Sequence, residues 1–139
     1  MRSTKKHHKH KKRKLKTQKK RNTVLRRLKK LIKREIPPIV IFSATYCPYC
    51  KKAKTLLRSM FKKYKLSSKK TMYVIEIDTL RDEEFKKQVI DIVLNLRSNQ
   101  TTVPNIFIQG KHIGGYDELK LLQKNGSLEQ KLMRIKNNR

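Results

Sequence analysis

The chain has 139 residues, 36% hydrophobic and 35% charged, with a formal net charge of +28. This length suits one domain with a modest core, and no apolar run approaches the roughly 20 residues of a membrane helix. Two cysteines are too few for the disulfide framework of a small secreted domain, and no apolar segment follows the N-terminal charges, as it would in a secretory signal. We therefore expect a protein of a reducing compartment, the cytoplasm, where a close cysteine pair serves redox chemistry or binds metal.

The positive charge is concentrated at the N-terminal end. Residues 1–34 hold 18 of the 38 Lys and Arg residues and no Asp or Glu, and residues 1–21 contain a single Leu. Such a segment buries too little apolar surface to offset its ordering entropy. The sequence therefore predicts a disordered basic tail at 1–21 and a folded domain at 22–139.

Several roles are compatible with this tail. Clusters such as KKRK at residues 11–14 are typical of nuclear-localisation signals, and the charge suits non-specific binding of nucleic acid. The expected location thus extends from the cytoplasm to the nucleus or a virion. A mitochondrial presequence fits less well because residues 1–21 lack an apolar helical face. A solvated extension without a task is the simplest alternative.

Helix and strand signals alternate along the rest of the chain. Apolar residues recurring at three and four positions predict helices, and short β-branched apolar runs predict buried strands. In chain order these are a helix from Asn22 or Thr23 to Pro37, a strand at 39–42, a helix after Cys47, a strand at 72–78, a helix capped by Asp82, a hairpin at 105–115 turning at Gln109–Gly110, and a helix from Asp117 with a break at Gly126. The helix after Asp82 would bury Phe85, Val89, Ile92, Val93 and Leu96. This order predicts an α/β fold with helices on both faces of a sheet.

Both cysteines lie in the stretch FSATYCPYC, residues 42–50, between a predicted strand and helix. Pro48 suits the first helical position because the amide it lacks would be unpaired there. The free N–H groups and the positive end of the helix dipole then face the Cys47 sulfur and favour the nucleophilic thiolate. Cys50, one turn further, is expected to be buried and protonated until needed. Positive potential is added by Lys51, Lys52 and Lys54.

Two other roles for the cysteine pair compete with redox chemistry. C-x-x-C is half of many zinc sites, but the chain has no second C-x-x-C, and its four histidines are three in the tail and His112. Inert packing is a poor use of a pair placed at a strand-to-helix turn. We therefore predict no metal site.

Two stretches resemble the signatures of dithiol glutaredoxins: TYCPYCKKAKTLL at 45–57 and TVPNIFIQGKHIGGYDEL at 102–119. The resemblance covers about residues 23–136. It implies the thioredoxin fold, a four-stranded mixed sheet flanked by helices with an extra N-terminal helix. It also implies a glutathione-dependent oxidoreductase that reduces protein disulfides and glutathione mixed disulfides. We further expect a monomer that does not associate with membranes.

The resemblance assigns the redox step to five residues. Cys47 would be the nucleophile, Cys50 the resolving thiol, and Tyr49 would flank the glutathione. Pro104 would be a cis-proline facing the disulfide, which leaves the backbone of Val103 free to pair with the substrate cysteine. An ordinary trans proline at the start of a strand is the alternative for Pro104.

The resemblance also assigns the remaining glutathione contacts. Asp117 and Glu118 would receive the ammonium of the γ-glutamyl group, although Asp117 could instead be only a helix cap. Gln100 would contact the glycyl end, or would be a solvated loop residue. Gly114 and Gly115 would let the chain turn close to the ligand, or would form an ordinary tight turn.

The sequence departs from the family pattern at two positions. Ala44 replaces a Lys that usually pairs with the glycyl carboxylate of glutathione, and Thr101 replaces a basic residue before Thr-Val-Pro. Both changes bear on the binding of glutathione, the expected co-substrate, rather than on the redox step. The motif CPYC, instead of CGFS, argues against the iron–sulfur carriers of the family, so no cluster is expected.

Two rival functions have to be separated from this one. The chain could be a nucleic-acid-associated basic protein that uses a redox domain as a scaffold, and steady turnover with glutathione would distinguish the two. It could also be a thioredoxin-like enzyme that receives electrons from a reductase instead of from glutathione.

Overall fold

The computed structural model describes residues 3–33, 37–93, 100 and 102–138. The described elements are, in chain order, helix α1 Ser3–Lys33, strand β1 Ile39–Ser43, α2 Pro48–Lys63, α3 Ser68–Thr71, β2 Met72–Glu76, a 3₁₀ turn Ile77–Thr79, α4 Glu83–Val93, β3 Asn105–Ile108, β4 Lys111–Gly114, α5 Tyr116–Lys124 and α6 Ser127–Asn137. No helix in these ranges is both long and apolar enough to cross a bilayer.

The four strands form one sheet in the order β2-β1-β3-β4. Strand β1 pairs in parallel with β2 and antiparallel with β3, and β4 completes the sheet beside β3. All five residues of β1 are buried, as expected of a central strand whose run of apolar side chains meets a core on both faces. The predicted four-stranded mixed sheet is confirmed.

Alternate side chains of β1 enter two different cores, because successive side chains of a strand point to opposite faces. Ile39 and Ile41 pack with buried residues of α2, α5 and α6. Val40 and Phe42 pack in the second core with Phe107 and with Val89 of α4. The predicted placement of helices on both faces is therefore confirmed, and this sheet holds the end of β1 firmly beneath the cysteine pair.

The connections follow the turn residues in the sequence. Gln109 and Gly110 both have positive φ, 49° and 76°, as a two-residue type I′ hairpin turn requires. Gly126 is left-handed, with φ of 81°, and separates α5 from α6. The predicted hairpin turn and helix break are both confirmed.

Helix α4 begins as the sequence indicates. Asp82 Oδ1 accepts the backbone N–H of Phe85 at 3.0 Å, which satisfies one of the unpaired donors of the first turn. Val89 is buried and Phe85 partly buried. Leu96 and the side chains of Ile92 and Val93 lie outside the described residues.

Several details of the elements differ from the prediction. The strand predicted at 72–78 ends at Glu76, where the chain turns into the 3₁₀ turn. Helix α3 was not predicted, and α5 begins at Tyr116, one residue early. Short turns of this kind depend on local hydrogen bonds that leave no periodic signal in the sequence.

Helix α1 is the largest difference from the prediction, which treated residues 1–21 as disordered. The structure has one helix, Ser3–Lys33. Its residues include no Gly or Pro, and Lys, Arg and Gln are good helix formers. Thr23, expected as an N-cap, donates its hydroxyl to the carbonyl of Lys19 at 2.9 Å inside the helix. The division of the chain into 1–21 and 22–139 stays a prediction.

Candidate active site

The Cys47 sulfur lies where β1 gives way to α2. The Cys47 N–H donates to the carbonyl of Ala44 at 3.1 Å and closes a turn between strand and helix. Pro48 then opens α2, and Cys47 is its N-cap residue, whose sulfur accepts the backbone N–H of Cys50 at 3.2 Å. An N–H directed at sulfur stabilises negative charge there. The local geometry expected for a nucleophilic thiolate is present.

Cys50 is fully buried one turn inside α2, whereas Cys47 keeps 8% of its surface exposed. Burial, together with the side-chain hydrogen bond to Cys47, raises the pKa of the Cys50 thiol to about 11. A thiol with a raised pKa is neutral near pH 7, so Cys50 is protonated, as the sequence led us to expect. The two sulfurs thus differ in access, with Cys47 the more exposed of the two.

The peptide bond between Val103 and Pro104 is cis, as predicted. The carbonyl of Val103 accepts the Cys47 thiol at an S···O distance of 3.7 Å. Ala44 and both cysteines pack together against Val103. The loop before β3 therefore contacts the redox pair directly.

A cleft of about 280 Å³ adjoins this loop. Seven of its nine lining residues are predicted site residues, and the other two, Thr102 and Tyr116, lie inside the second sequence signature. The lining consists of Tyr49, Gln100, Thr102, Val103, Pro104, Gly115, Tyr116, Asp117 and Glu118. Pro48 and Gly114, predicted as supporting residues, are not in the lining: Pro48 begins α2 and Gly114 ends β4. Thr101 lies outside the described residues.

Glu118 has a structural role in the cleft. Its Oε2 accepts the N–H of Gly115 at 2.8 Å and so caps the start of α5. Gly114 has a φ of 122°, and a Cβ there would lie 2.8 Å from Glu118 Cγ. The N-cap of α5 is Gly115, so the alternative that Asp117 caps this helix is wrong. The exposed Asp117 side chain lies in the cleft lining.

Gln100 braces the cis-proline loop. Its Nε2 donates to the carbonyl of Pro104 at 3.0 Å and to that of Thr102 at 3.2 Å. The backbone carbonyl of Gln100 accepts a hydrogen bond from Asn105 Nδ2 at 2.9 Å. The alternative of a merely solvated loop residue is therefore wrong, and Gln100 shapes the wall that it lines.

Asp78, which the sequence reading missed, anchors the loop before Cys47. Its carboxylate accepts the backbone N–H of Thr45 at 2.9 Å and also the Thr45 hydroxyl. These bonds, the hydroxyl first, lower the pKa of Asp78. Because β1 and β2 are parallel, with Ser43 opposite Glu76, an acid just after β2 falls beside the loop that follows β1. The parallel pairing of β1 with β2 was therefore the signal from which the role of Asp78 could have been predicted.

The nearby lysines are not equivalent. Lys54 forms a largely buried ion pair with Glu76, with Nζ and Oε1 2.6 Å apart, so its charge is already matched. Lys52 Nζ lies 5.2 Å from the centre of the Tyr49 ring and 6.0 Å from that of Tyr116. Lys52 therefore contributes positive charge at the rim of the cleft, and the expected contribution of Lys54 is offset.

The family model for glutaredoxins matches residues 39–113. The chain belongs to the glutaredoxin family. A glutaredoxin-1 of Rhizophagus irregularis is 38% identical over 104 residues, 75% of this chain and 89% of the relative. A glutaredoxin of Ricinus communis is 42% identical over 90 residues, 65% of this chain and 76% of the relative. The crystal structure of a buckwheat glutaredoxin–glutathione complex is similar, with a TM-score of 0.60 and 28% identity, and the match covers 84% of this chain and 93% of that one.

Family membership confirms the predicted thioredoxin fold and the predicted glutaredoxin-type oxidoreductase with a Cys47/Cys50 dithiol. Within the described residues of this glutaredoxin, no three His, Cys, Asp or Glu side chains gather as a metal site would require. The expectation that the protein works without metal or cluster stays a prediction.

Proposed function

We propose that this glutaredoxin reduces protein disulfides and glutathione mixed disulfides with glutathione as its co-substrate. The observation that carries the proposal is the contact between the Cys47 sulfur and Val103, because Val103 also lines the cleft. A nucleophilic sulfur thus lies beside a concave surface whose lining includes the Asp117 carboxylate and the Tyr49 ring. The similarity to a glutaredoxin solved with glutathione supports the same conclusion.

The single-thiol route begins with attack by the Cys47 thiolate on the glutathione sulfur of a mixed disulfide. The bond between glutathione and the substrate breaks, a Cys47–glutathione disulfide forms, and the substrate leaves as a thiolate that takes up a proton. A second glutathione thiolate then attacks the bound glutathione sulfur. Cys47 returns as thiolate and glutathione disulfide departs, so Cys50 is not required.

The two-thiol route serves protein disulfides. Attack by Cys47 gives a mixed disulfide with the substrate, and the Cys50 sulfur then attacks Cys47, releasing the second substrate thiol. The proton of Cys50 goes to this leaving thiolate, and the resulting Cys47–Cys50 disulfide is reduced by two glutathiones. The raised pKa of Cys50 keeps this thiol neutral until Cys47 has reacted, which avoids two adjacent thiolates.

The cleft indicates how glutathione would be held. The backbone of Val103 would pair with the tripeptide as a neighbouring strand, and the Asp117 carboxylate would receive the γ-glutamyl ammonium. Glu118 already caps α5, so its part in binding would be secondary. Tyr49 would flank the peptide, and Gln100 would lie near the glycyl end.

The proposed redox partners are glutathione, glutathionylated proteins and protein disulfides, met by a monomer in the cytoplasm, the nucleus or a virion. Nucleic acid is a further proposed partner of the basic helix α1, which contains no Asp or Glu.

Steady-state turnover of a glutathionylated peptide tests the redox proposal, with glutathione regenerated by glutathione reductase. We expect turnover that rises with glutathione and is absent from the double variant Cys47→Ser/Cys50→Ser. Turnover with a thioredoxin reductase but not with glutathione would contradict the proposal and favour a thioredoxin-like enzyme.

A further inference from the structure

The N-terminal part of α1 presents an unbroken basic surface. Every residue from Lys6 to Lys20 is exposed. Nine of these fifteen residues are Lys or Arg, three are His, and none is acidic. We define residues 6–20 as the basic array. A rod with this much charge of one sign raises the local concentration of anionic partners.

The charge of the basic array is not neutralised by the rest of the protein. Among the described residues, Arg21 is the one residue of α1 that forms ion pairs. Its partners are Asp82 and Glu84, at the start of α4. Arg21 lies just beyond the array. The ion pairs therefore attach the helix to the folded domain and leave its basic array available to an external partner.

The charges surround the helix. At about 100° per residue, the nine Lys and Arg positions leave no arc wider than about 80° without a cation. A flat acidic surface would engage only one side of such a helix, whereas a groove with phosphates on both walls engages most of its circumference. The distribution favours a partner that encloses the helix.

Two classes of anionic partner fit poorly. A membrane-surface helix needs an apolar face to insert, but Leu15 is the only large apolar side chain in the basic array. Single-stranded nucleic acid is held by aromatic rings on which its bases stack, but no aromatic residue precedes Phe42 in the sequence. Both observations favour the phosphate backbone of a duplex.

Charge spacing and helix width select the type of duplex. The basic array is about 21 Å long at about 1.5 Å per residue, so its cations lie about 2.3 Å apart along the axis. Duplex DNA carries one charge per about 1.7 Å, and a single strand one per about 3.4 Å. A helix about 10–12 Å wide fits the major groove of B-DNA, which is about 12 Å wide, whereas the major groove of A-form RNA is too narrow for side chains to read.

From these observations we infer that the basic array of α1 binds double-stranded B-form DNA by lying in its major groove and contacting phosphates on both walls. The inference rests on the proposed binding of nucleic acid by α1 and names the partner. Because phosphate contacts carry no sequence information, the binding is independent of sequence. The part of the chain from β1 to α6, which we call the redox domain, would thereby be held on DNA through Arg21 and α4.

Fluorescence anisotropy of the full chain tests the inference with a labelled DNA duplex of about two helical turns. The matching single strand, the RNA duplex of the same sequence and phosphatidylserine vesicles serve as competitors. We expect the DNA duplex to bind tightest, with affinity falling on the order of 10³–10⁵ between about 50 and 200 mM salt if six to ten phosphates are contacted.

Two variants with the same loss of charge locate the binding surface. The array variant carries Lys9→Gln, Lys12→Gln, Arg13→Gln and Lys16→Gln, and the control carries glutamine at four exposed lysines of the redox domain: Lys62, Lys65, Lys69 and Lys70. The array variant should lower the slope of log affinity against log salt by about 3 to 4, and the control by less than 1.

A third variant, Leu15→Pro, breaks the helix but keeps every charge and should weaken duplex binding at least fivefold.

Each other outcome overturns a stated part of the inference. Equal or tighter binding of the single strand, the RNA duplex or the vesicles overturns the choice of B-DNA, and so does full affinity in Leu15→Pro. Equal slopes for the array variant and the control place binding elsewhere. Absence of binding to every nucleic acid overturns the proposed nucleic-acid partner as well, while turnover with glutathione tests the redox proposal separately.

Discussion

In strand β1 every residue from Ile39 to Ser43 is buried, whereas in helix α1 every residue from Lys6 to Lys20 is exposed. The conformation of the strand is determined by packing, because its apolar side chains enter a hydrophobic core on each face of the sheet. The helix is specified by backbone propensity, and the described ion pairs attach it through Arg21. In the redox domain, β1 to α6, a substitution changes packing or chemistry. In the basic array of α1, a substitution mainly changes charge.

The largest expected effect separates the two thiols of the redox domain. Cys47→Ser should abolish reduction of both protein disulfides and glutathione mixed disulfides, since both routes begin at Cys47. Cys50→Ser should still release glutathione from a glutathionylated peptide and should fail on protein disulfides. The coupled glutathione assay measures both reactions. Activity in Cys47→Ser would contradict the assignment of the nucleophile.

The next prediction concerns backbone strain at the cleft. Gly114→Ala places a Cβ 2.8 Å from Glu118 Cγ at a φ of 122°, and we expect a loss of about 1–3 kcal/mol in the free energy of unfolding. Gly126→Ala is the control because its φ is also positive, 81°, but a Cβ there meets no atom within 4 Å. Urea denaturation should show the larger loss for Gly114→Ala. Equal losses would mean that Glu118 moves aside freely.

Asp78 gives the redox domain an acid-sensitive contact. Its pKa is lowered in the folded protein by the bonds from Thr45, so its stabilising contribution is complete above the unfolded pKa of about 3.9. The contribution disappears as the pH falls through the lower folded pKa. Asp78→Asn should therefore lower Tm at pH 7, and the difference from wild type should shrink below about pH 4. A difference that stays constant with pH would contradict this account.

Much of the redox domain could be predicted from local patterns. The buried run in β1, the Gln109–Gly110 turn and the break at Gly126 each carry their own signal in the residues concerned. The role of Asp78 could not be obtained this way, because it depends on Thr45, a partner 33 residues away that the fold brings close. The part of α1 before Asn22 was predicted to be disordered for a different reason: its composition leaves it with almost no apolar residues to join a core, which does not prevent a run of good helix formers from being helical.

Removing residues 1–21 tests whether the two regions are energetically separate. The deletion takes away the ion pairs of Arg21, which are partly exposed and worth about 0.2–1 kcal/mol. We expect a small change in Tm and unchanged turnover with glutathione. Arg21→Gln in the full chain is the control and should reproduce the whole effect. A large fall in Tm for the deletion alone would show that α1 packs into the domain.

The smallest expected effect concerns the charge missing from the cleft. Ala44 is 3% exposed and packs against the cysteine pair and Val103, so we expect a Lys at this position to extend past that cluster and to place its ammonium in solvent. An exposed ion pair with the glycyl carboxylate of glutathione contributes about 0.2–1 kcal/mol. Ala44→Lys should therefore lower the KM for glutathione by a few-fold and leave kcat nearly unchanged, which is the pattern of uniform binding.

Ala44→Met separates charge from bulk in this experiment, because its side chain is long but neutral. If KM falls in both variants, packing rather than the ammonium is responsible. If neither variant changes KM, a neighbouring cation already meets the carboxylate, and Lys51→Ala should then raise KM instead. Should Lys51→Ala also leave KM unchanged, the glycyl end of glutathione does not lie near Ala44. The described cleft lining, with the carboxylates of Asp117 and Glu118 and no Lys or Arg, makes an added cation detectable.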